Sequence, residues 1–145
     1  MLEVKVLLEA RRLREQGKPY FADSRMGVSI DWDGEIFDPC LRIPETRNEI
    51  DLIVMRGMTP LFISCKNGNI GEEELYKLHT VAVRFGGAEA RKMLVATDLD
   101  RRSEAANRSF VRRARDMGIC LVTDAAELSD GQWEDVLKSA MEPRD

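Results

Sequence analysis

The order of segments along the chain predicts an α/β fold with a mixed central sheet. It reads as a helix, an antiparallel meander of strands, then helix, strand, helix, strand and helix. Three observations carry that prediction. Apolar residues at helical spacing open the chain, two β-type runs joined by a glycine-containing turn fill its middle, and short apolar runs alternate with amphipathic helices toward its end.

Leu2, Val6, Leu7, Ala10 and Leu13 recur at the spacing of one helix face and stop before Gly17-Lys18-Pro19, a helix end followed by a breaker. Residues 20–30 and 35–43 read as extended segments around Asp31-Trp32-Asp33-Gly34, because Asp-Gly favours a hairpin turn. Pro39 and Pro44 make the second of these an irregular or edge strand. Residues 49–55 and 60–66 are the clearest strands, with Gly57 supplying the turn between them. Asn67-Gly68-Asn69-Ile70-Gly71 reads as a loop. Residues 72–85 read as a helix with Leu75, Leu78, Ala82 and Phe85 on its inner stripe, closed by Gly86-Gly87. A buried-type strand follows at Met93-Leu94-Val95-Ala96, a helix over 103–117 stopped by Gly118, a short strand over 119–123, and a last helix over about 130–141 with Trp133, Val136 and Leu137 inward.

A chain of 145 residues is most simply one domain, large enough for a real core. Hydrophobic residues at 43% and charged residues at 33% fit a globular protein and exclude a disordered or fibrous one. No apolar run approaches the roughly 20 residues of a membrane span. The charged first residues lack a signal peptide's apolar segment, so a cytoplasmic protein is expected. Cys40, Cys65 and Cys120 are widely spaced and accompanied by a single His, which argues against a disulfide framework and against structural zinc. Net charge is −4, yet Arg11, Arg12, Arg14 and Lys18 cluster early and Arg101, Arg102, Arg108, Arg112, Arg113 and Arg115 late. Such runs are ordinarily solvated helix faces, and they also permit phosphate binding.

The chemistry concentrates in the central pair of strands. Side chains alternate across a strand, so Phe62, Ser64 and Lys66 share one face while Leu61, Ile63 and Cys65 share the other. Asp51, on the neighbouring strand, falls opposite that first face in the usual hairpin register. A carboxylate that holds Mg²⁺ or Mn²⁺ beside a Lys that steadies developing negative charge suits phosphodiester hydrolysis. A surface ion pair at the strand ends would use the same two residue types.

These residues resemble a known pattern. Asn48-Glu49-Ile50-Asp51 opening one strand and Phe62-Ile63-Ser64-Cys65-Lys66 ending the next, after a helix bearing Glu3, are similar to the PD-(D/E)XK nuclease superfamily. The helix Leu75-Tyr76-Lys77-Leu78 leading to Phe85-Gly86-Gly87 adds a closer resemblance. It is to the C-terminal nuclease domain of CRISPR ancillary effectors, which join a cyclic-oligoadenylate sensor to a nuclease. The similarity covers about residues 2–97, with residues 98–145 as a helix-strand-helix extension. It implies a restriction-endonuclease-like core and a metal-dependent nuclease cutting DNA or RNA with Mg²⁺ or Mn²⁺ in prokaryotic defence. It further implies a homodimer, and an N-terminal sensor domain that this chain does not include.

The resemblance implies Asp51 as principal metal ligand, Lys66 as catalytic lysine, and Glu3 as the helical acid, with Glu9 as second choice. Ser64 is the departure, because Asp or Glu usually stands there, and a hydroxyl is a poorer ligand for a hard dication. Three outcomes stay open. Ser64 binds metal through water while Asp51 and Glu3 ligate directly, or the carboxylate has moved to Glu74 on the following helix, with Glu73 less well aimed, or the site is dead and the domain serves as a nucleic-acid-binding or dimerisation module. A restriction- or repair-type DNase is a further alternative. Glu49, two residues before Asp51, is either an auxiliary metal group or a strand-entry surface acid. Lys77 and Asn67 flank the Lys66 end as phosphate contacts. His79 reads as a packed structural residue.

Overall fold

A computed structural model of the chain describes residues 1–31, 47–68, 70–97 and 103–143. The elements are α1 (Leu2–Arg12), β1 (Arg14–Glu15), β2 (Lys18–Pro19), β3 (Asp23–Asp31), β4 (Arg47–Arg56), β5 (Thr59–Lys66), α2 (Glu72–Gly86), β6 (Arg91–Ala96), α3 (Glu104–Asp116), β7 (Ile119–Val122) and α4 (Asp130–Met141). The proposed turn at residues 31–34, the segment 35–43 and Cys40 lie outside the described residues apart from Asp31, which ends β3.

The main sheet runs β3-β4-β5-β6-β7. Its first three strands are antiparallel, while β6 and β7 run parallel to β5 and to each other. That is the mixed α/β architecture the segment order predicts. The change of direction has a plain cause. The β4–β5 connection is a two-residue hairpin with Gly57 at φ 59°, whereas β5 to β6 and β6 to β7 each cross over through a helix.

Two cores sandwich the sheet. On one face Leu52 and Val54 of β4, Leu61, Ile63 and Cys65 of β5, and Met93 and Val95 of β6 pack against Val6 and Ala10 of α1 and Trp133 and Leu137 of α4. On the other, Phe62 and Leu94 meet Leu75, Leu78, Val81 and Ala82 of α2 and Phe110 and Ala114 of α3. Fully burying each of the larger side chains contributes on the order of 1.5–3 kcal/mol.

Phe85 departs from the expected inner stripe: it is exposed, and Val81 is buried in its stead. The last turn of α2 meets the sheet through Gly86, where an added Cβ would sit 2.7 Å from the Phe62 ring and 2.6 Å from the Ala90 methyl. The backbone comes so close there that the neighbouring bulky side chain stays at the rim. Gly17-Lys18-Pro19, expected as a simple helix stop, instead closes a miniature hairpin. Glu15 pairs with Lys18 across Gln16 and Gly17, both at positive φ. Glu9, the second choice for the helical acid, is engaged within the α1–α4 side of the fold. It is buried at 5% exposure and joined to Lys5 and Arg12, both of which also reach Asp130 of α4. A buried carboxylate needs such partners.

Among the described residues, no helix is long and apolar enough to cross a membrane.

Candidate active site

The β4–β5 ladder sets the site. Its last pair is Leu52 with Ile63, and one further step of the same register brings Asp51 beside Ser64. Beyond that pair the strands part. The Cys65 N–H donates to Asp51 Oδ2 at 2.7 Å, so a side chain caps the backbone donor at this point. The alternation of faces also lapses here: Ile50 belongs to the α2-side core although Leu52 and Val54 lie on the α1 side. Glu49, Ile50 and Asp51 consequently line one cavity together with Ser64 and Lys66 of β5 and Glu74, Lys77 and Leu78 of α2.

That cavity, of about 170 Å³, brings together Asp51, Lys66, Ser64, Glu49 and Glu74. The α2 helix begins six residues after Lys66, with Gly71 as its N-cap, and its first turn carries Glu72, Glu73 and Glu74. Glu74, on the turn before buried Leu78, faces the sheet and stands 3.5 Å from Lys66 Nζ, while Glu73 is exposed. Lys77 lines the cavity one turn on; Asn67 does not. Glu49, Asp51 and Glu74 against Lys66 and Lys77 leave the wall one negative charge in excess.

Glu3 is not part of that wall. It sits on α1, which packs against the opposite face of the sheet, where its carboxylate acts on the thiol of Cys65. Burial first, then the carboxylates of Asp51 and Glu3, push the Cys65 thiol up to about 12, with Lys66 opposing them. A thiol so shifted stays protonated and inert at neutral pH. His79 lies away from the cavity, with its Nδ1 2.9 Å from Lys92 Nζ. Burial and then the Lys92 charge hold its pKa below the ordinary imidazole value. It is a structural link between α2 and β6, and Lys92 also donates to the Met117 carbonyl at the end of α3.

Among the described residues, no three His, Cys, Asp or Glu side chains gather tightly enough to form a ready-made metal cluster. The donor set nonetheless fits a hard dication. Besides the two lysine ammonium groups the cavity's polar side chains offer oxygen, from Glu49, Asp51, Ser64 and Glu74, and Mg²⁺ ordinarily takes one or two carboxylates and completes its shell with water and phosphate oxygens. Asp51 is fixed by its bond to the Cys65 amide and has a second oxygen to offer; Glu74 is a second carboxylate across the same cavity.

The Cys65 amide as the anchor of Asp51 had no signal in the sequence, since the donor is backbone and its availability depends on where the β4–β5 ladder stops. The approach of Glu74 did have one, the helical spacing from Leu78.

Residues 2–139 match the family described as "Card1-like, endonuclease domain". Among solved structures, the chain is similar to protein VC1899 from Vibrio cholerae, at 22% identity and TM-score 0.65 over 96% of this chain and 32% of that one. It is also similar to Can2 from Sulfobacillus thermosulfidooxidans, solved in complex with cyclic tetra-adenylate, at 20% identity and TM-score 0.66 over 98% of this chain and 33% of that one. The chain thus spans about a third of the length of either protein. No curated protein matches the sequence significantly.

Proposed function

The chain belongs to the Card1-like endonuclease domain family, and on that premise we propose that it is a metal-dependent endonuclease hydrolysing phosphodiester bonds of DNA or RNA in CRISPR-linked defence. The observation that supports this best is the convergence of Asp51, Lys66 and Glu74 on one cavity at the point where β4 and β5 part. Asp51 and Glu74 would hold Mg²⁺ or Mn²⁺, with Glu49 as an auxiliary acid. The bound cation would polarise the phosphate and lower the pKa of an attacking water.

The chain's own groups supply the rest. Lys66 presents its ammonium to the attacking water and to the charge that builds on the phosphate oxygens. Glu74 steadies that ammonium at the cavity wall in the absence of substrate. Ser64, opposite Asp51, donates or accepts one hydrogen bond to a water in the cavity, and so takes the place of the superfamily's second strand carboxylate without its charge. Glu3 acts from the α1 side, behind Cys65, as a charge that shapes the field rather than a wall residue. By kinship a homodimer is the working assembly.

A second reading, a nuclease-like domain that binds nucleic acid without cutting it, is favoured by the hydroxyl of Ser64 where a carboxylate usually stands. Nicking of plasmid DNA and cleavage of RNA with Mn²⁺ separate the two. The wild type is expected to cut and to stop cutting in EDTA, and Asp51→Ala is expected to lose at least a hundredfold in rate, in line with the loss of several kcal/mol of charge stabilisation. A wild type that cuts neither substrate supports the second reading.

A further inference from the structure

The protein has two basic clusters, and their surroundings differ. At the end of α1, Arg11 donates to Ser24 Oγ, Arg12 pairs with Glu9 and Asp130, and Arg14 donates to the carbonyls of Arg11 and Leu13. Those cations are used in closing a helix and joining it to α4. On α3, by contrast, Arg108, Arg112 and Arg115 fall at i, i+4 and i+7 and form one exposed stripe. Arg108 has a loose contact with Glu104 at 3.6 Å, and Arg112 and Arg115 have no carboxylate partner among the described residues.

Such a stripe is unfavourable in isolation. Like charges at i, i+4 repel, so the helix gives up stability by carrying them. The residues are all arginine, whose fork-shaped guanidinium matches phosphate oxygens. They border a shallow groove of about 310 Å³ with Glu104, Asn107 and the exposed Val111, so that three cations face a single carboxylate on a chain whose overall charge is −4. The stripe's helix is also joined to the candidate active site. Arg113, on its flank, reaches Glu72 Oε2 at 3.2 Å and Tyr76 Oη at 2.6 Å, and so ties α3 to the first turns of α2, which carry Glu74. Both helices lie on the same face of the sheet, the face of the cavity.

We propose that the Arg108-Arg112-Arg115 stripe of α3 is a docking surface for the phosphodiester backbone of a nucleic acid, positioning the strand that the cavity cleaves. The proposal rests on the nuclease reading for the identity of the strand, and on charge complementarity for the surface. Backbone contacts of this kind carry no sequence preference, so the stripe contributes affinity and register and leaves base selection to other groups.

The test is binding of short fluorescent DNA and RNA oligonucleotides, single- and double-stranded, measured in EDTA as a function of salt. With all three arginines changed to Gln, affinity is expected to fall on the order of tenfold, and the slope of log K against log salt to fall by about two to three, equally for unrelated sequences. Arg112→Gln alone should lower the slope by about one. Lys18→Gln, in the other basic cluster, should leave it unchanged. Melting of the triple variant should match or exceed that of wild type, because repelling charges are removed. An unchanged slope in the triple variant, an equal loss in Lys18→Gln, or a wild type that binds none of the oligonucleotides would each overturn the proposal. So would retention of a polyglutamate column by wild type with no nucleic-acid binding. Failure of the catalytic reading shows elsewhere, as Asp51→Ala cutting like wild type, and does not alter the slope.

Discussion

At the scale of single residues, the question is which oxygen does the work that Ser64 cannot. On the proposed reading that oxygen is Glu74's, which lines the same cavity as Asp51 and stands 3.5 Å from Lys66. Glu74→Gln should therefore weaken Mn²⁺ binding and cleavage, each by tenfold or more, and Ser64→Asp added to it should restore a large part of both. The double variant should outperform Glu74→Gln alone in calorimetry and in cleavage rate. Failure of Ser64→Asp to rescue would mean that Glu74 is Lys66's partner and nothing further. Cys65 gives a pH-dependent expectation. Its thiol is pushed up from 9.0 to about 12 by burial and by the Asp51 and Glu3 charges. The folded protein therefore holds this proton over a range in which the unfolded chain has lost it, and folding stability falls as pH rises from about 9 toward 12. Urea unfolding from pH 8 to 11 should show that decline in wild type and a shallower one in Cys65→Ala. Alkylation of the native thiol at pH 8 should be slow compared with that of the unfolded chain.

At the scale of elements, the hairpin β4–β5 and the start of α2 make the site, and the end of α2 makes its frame. Gly86 admits the Phe62 ring where a methyl would overlap it, so Gly86→Ala forces the helix end or the ring to move. A loss of about 1–3 kcal/mol is expected, read as a shift of the urea midpoint without a change of slope. Most elements were legible in the sequence. Periodicity of 3.6 marked α1, α2, α3 and α4, and alternation or apolar runs marked β4 to β7. The misses have two physical origins: an element too short to carry a period, and burial that depends on distant parts of the chain. The β1–β2 hairpin has two residues a strand and closes through Gln16 at φ 51°, so it offers no periodicity to read. Phe85 and Val81 exchange burial because of the close approach at Gly86, and Glu9 is buried because α4 packs beside α1. In the candidate site, Ser64 and Lys66 were placed on one face by strand alternation, and Asp51 opposite them by the usual hairpin register together with the resemblance to a known family. The approach of Glu74 was signalled by its spacing from Leu78, whereas the place of Glu3 behind the sheet could not be read from spacing, because it depends on which face α1 covers.

At the scale of the whole molecule, one sheet separates two sides that are built differently. The α1–α4 side is a closed apolar core tied by the Glu9 network, and the α2–α3 side carries the cavity, the bridge from Arg113 to Glu72, and the arginine stripe. The fold corresponds to about a third of the length of the two longer proteins it is similar to. A cation that binds the folded cavity and not the unfolded chain must stabilise the fold by mass action, by about 2.7 kcal/mol at a hundredfold excess over Kd. Mn²⁺ should thus raise the melting temperature of wild type and leave that of Asp51→Ala where it was. The most direct single measurement is calorimetric titration of Mn²⁺ into wild type and into Asp51→Ala. The structure leads us to expect saturable binding in wild type and its loss in the variant; equal heats in the two proteins, or none in either, would contradict a metal-dependent site at Asp51.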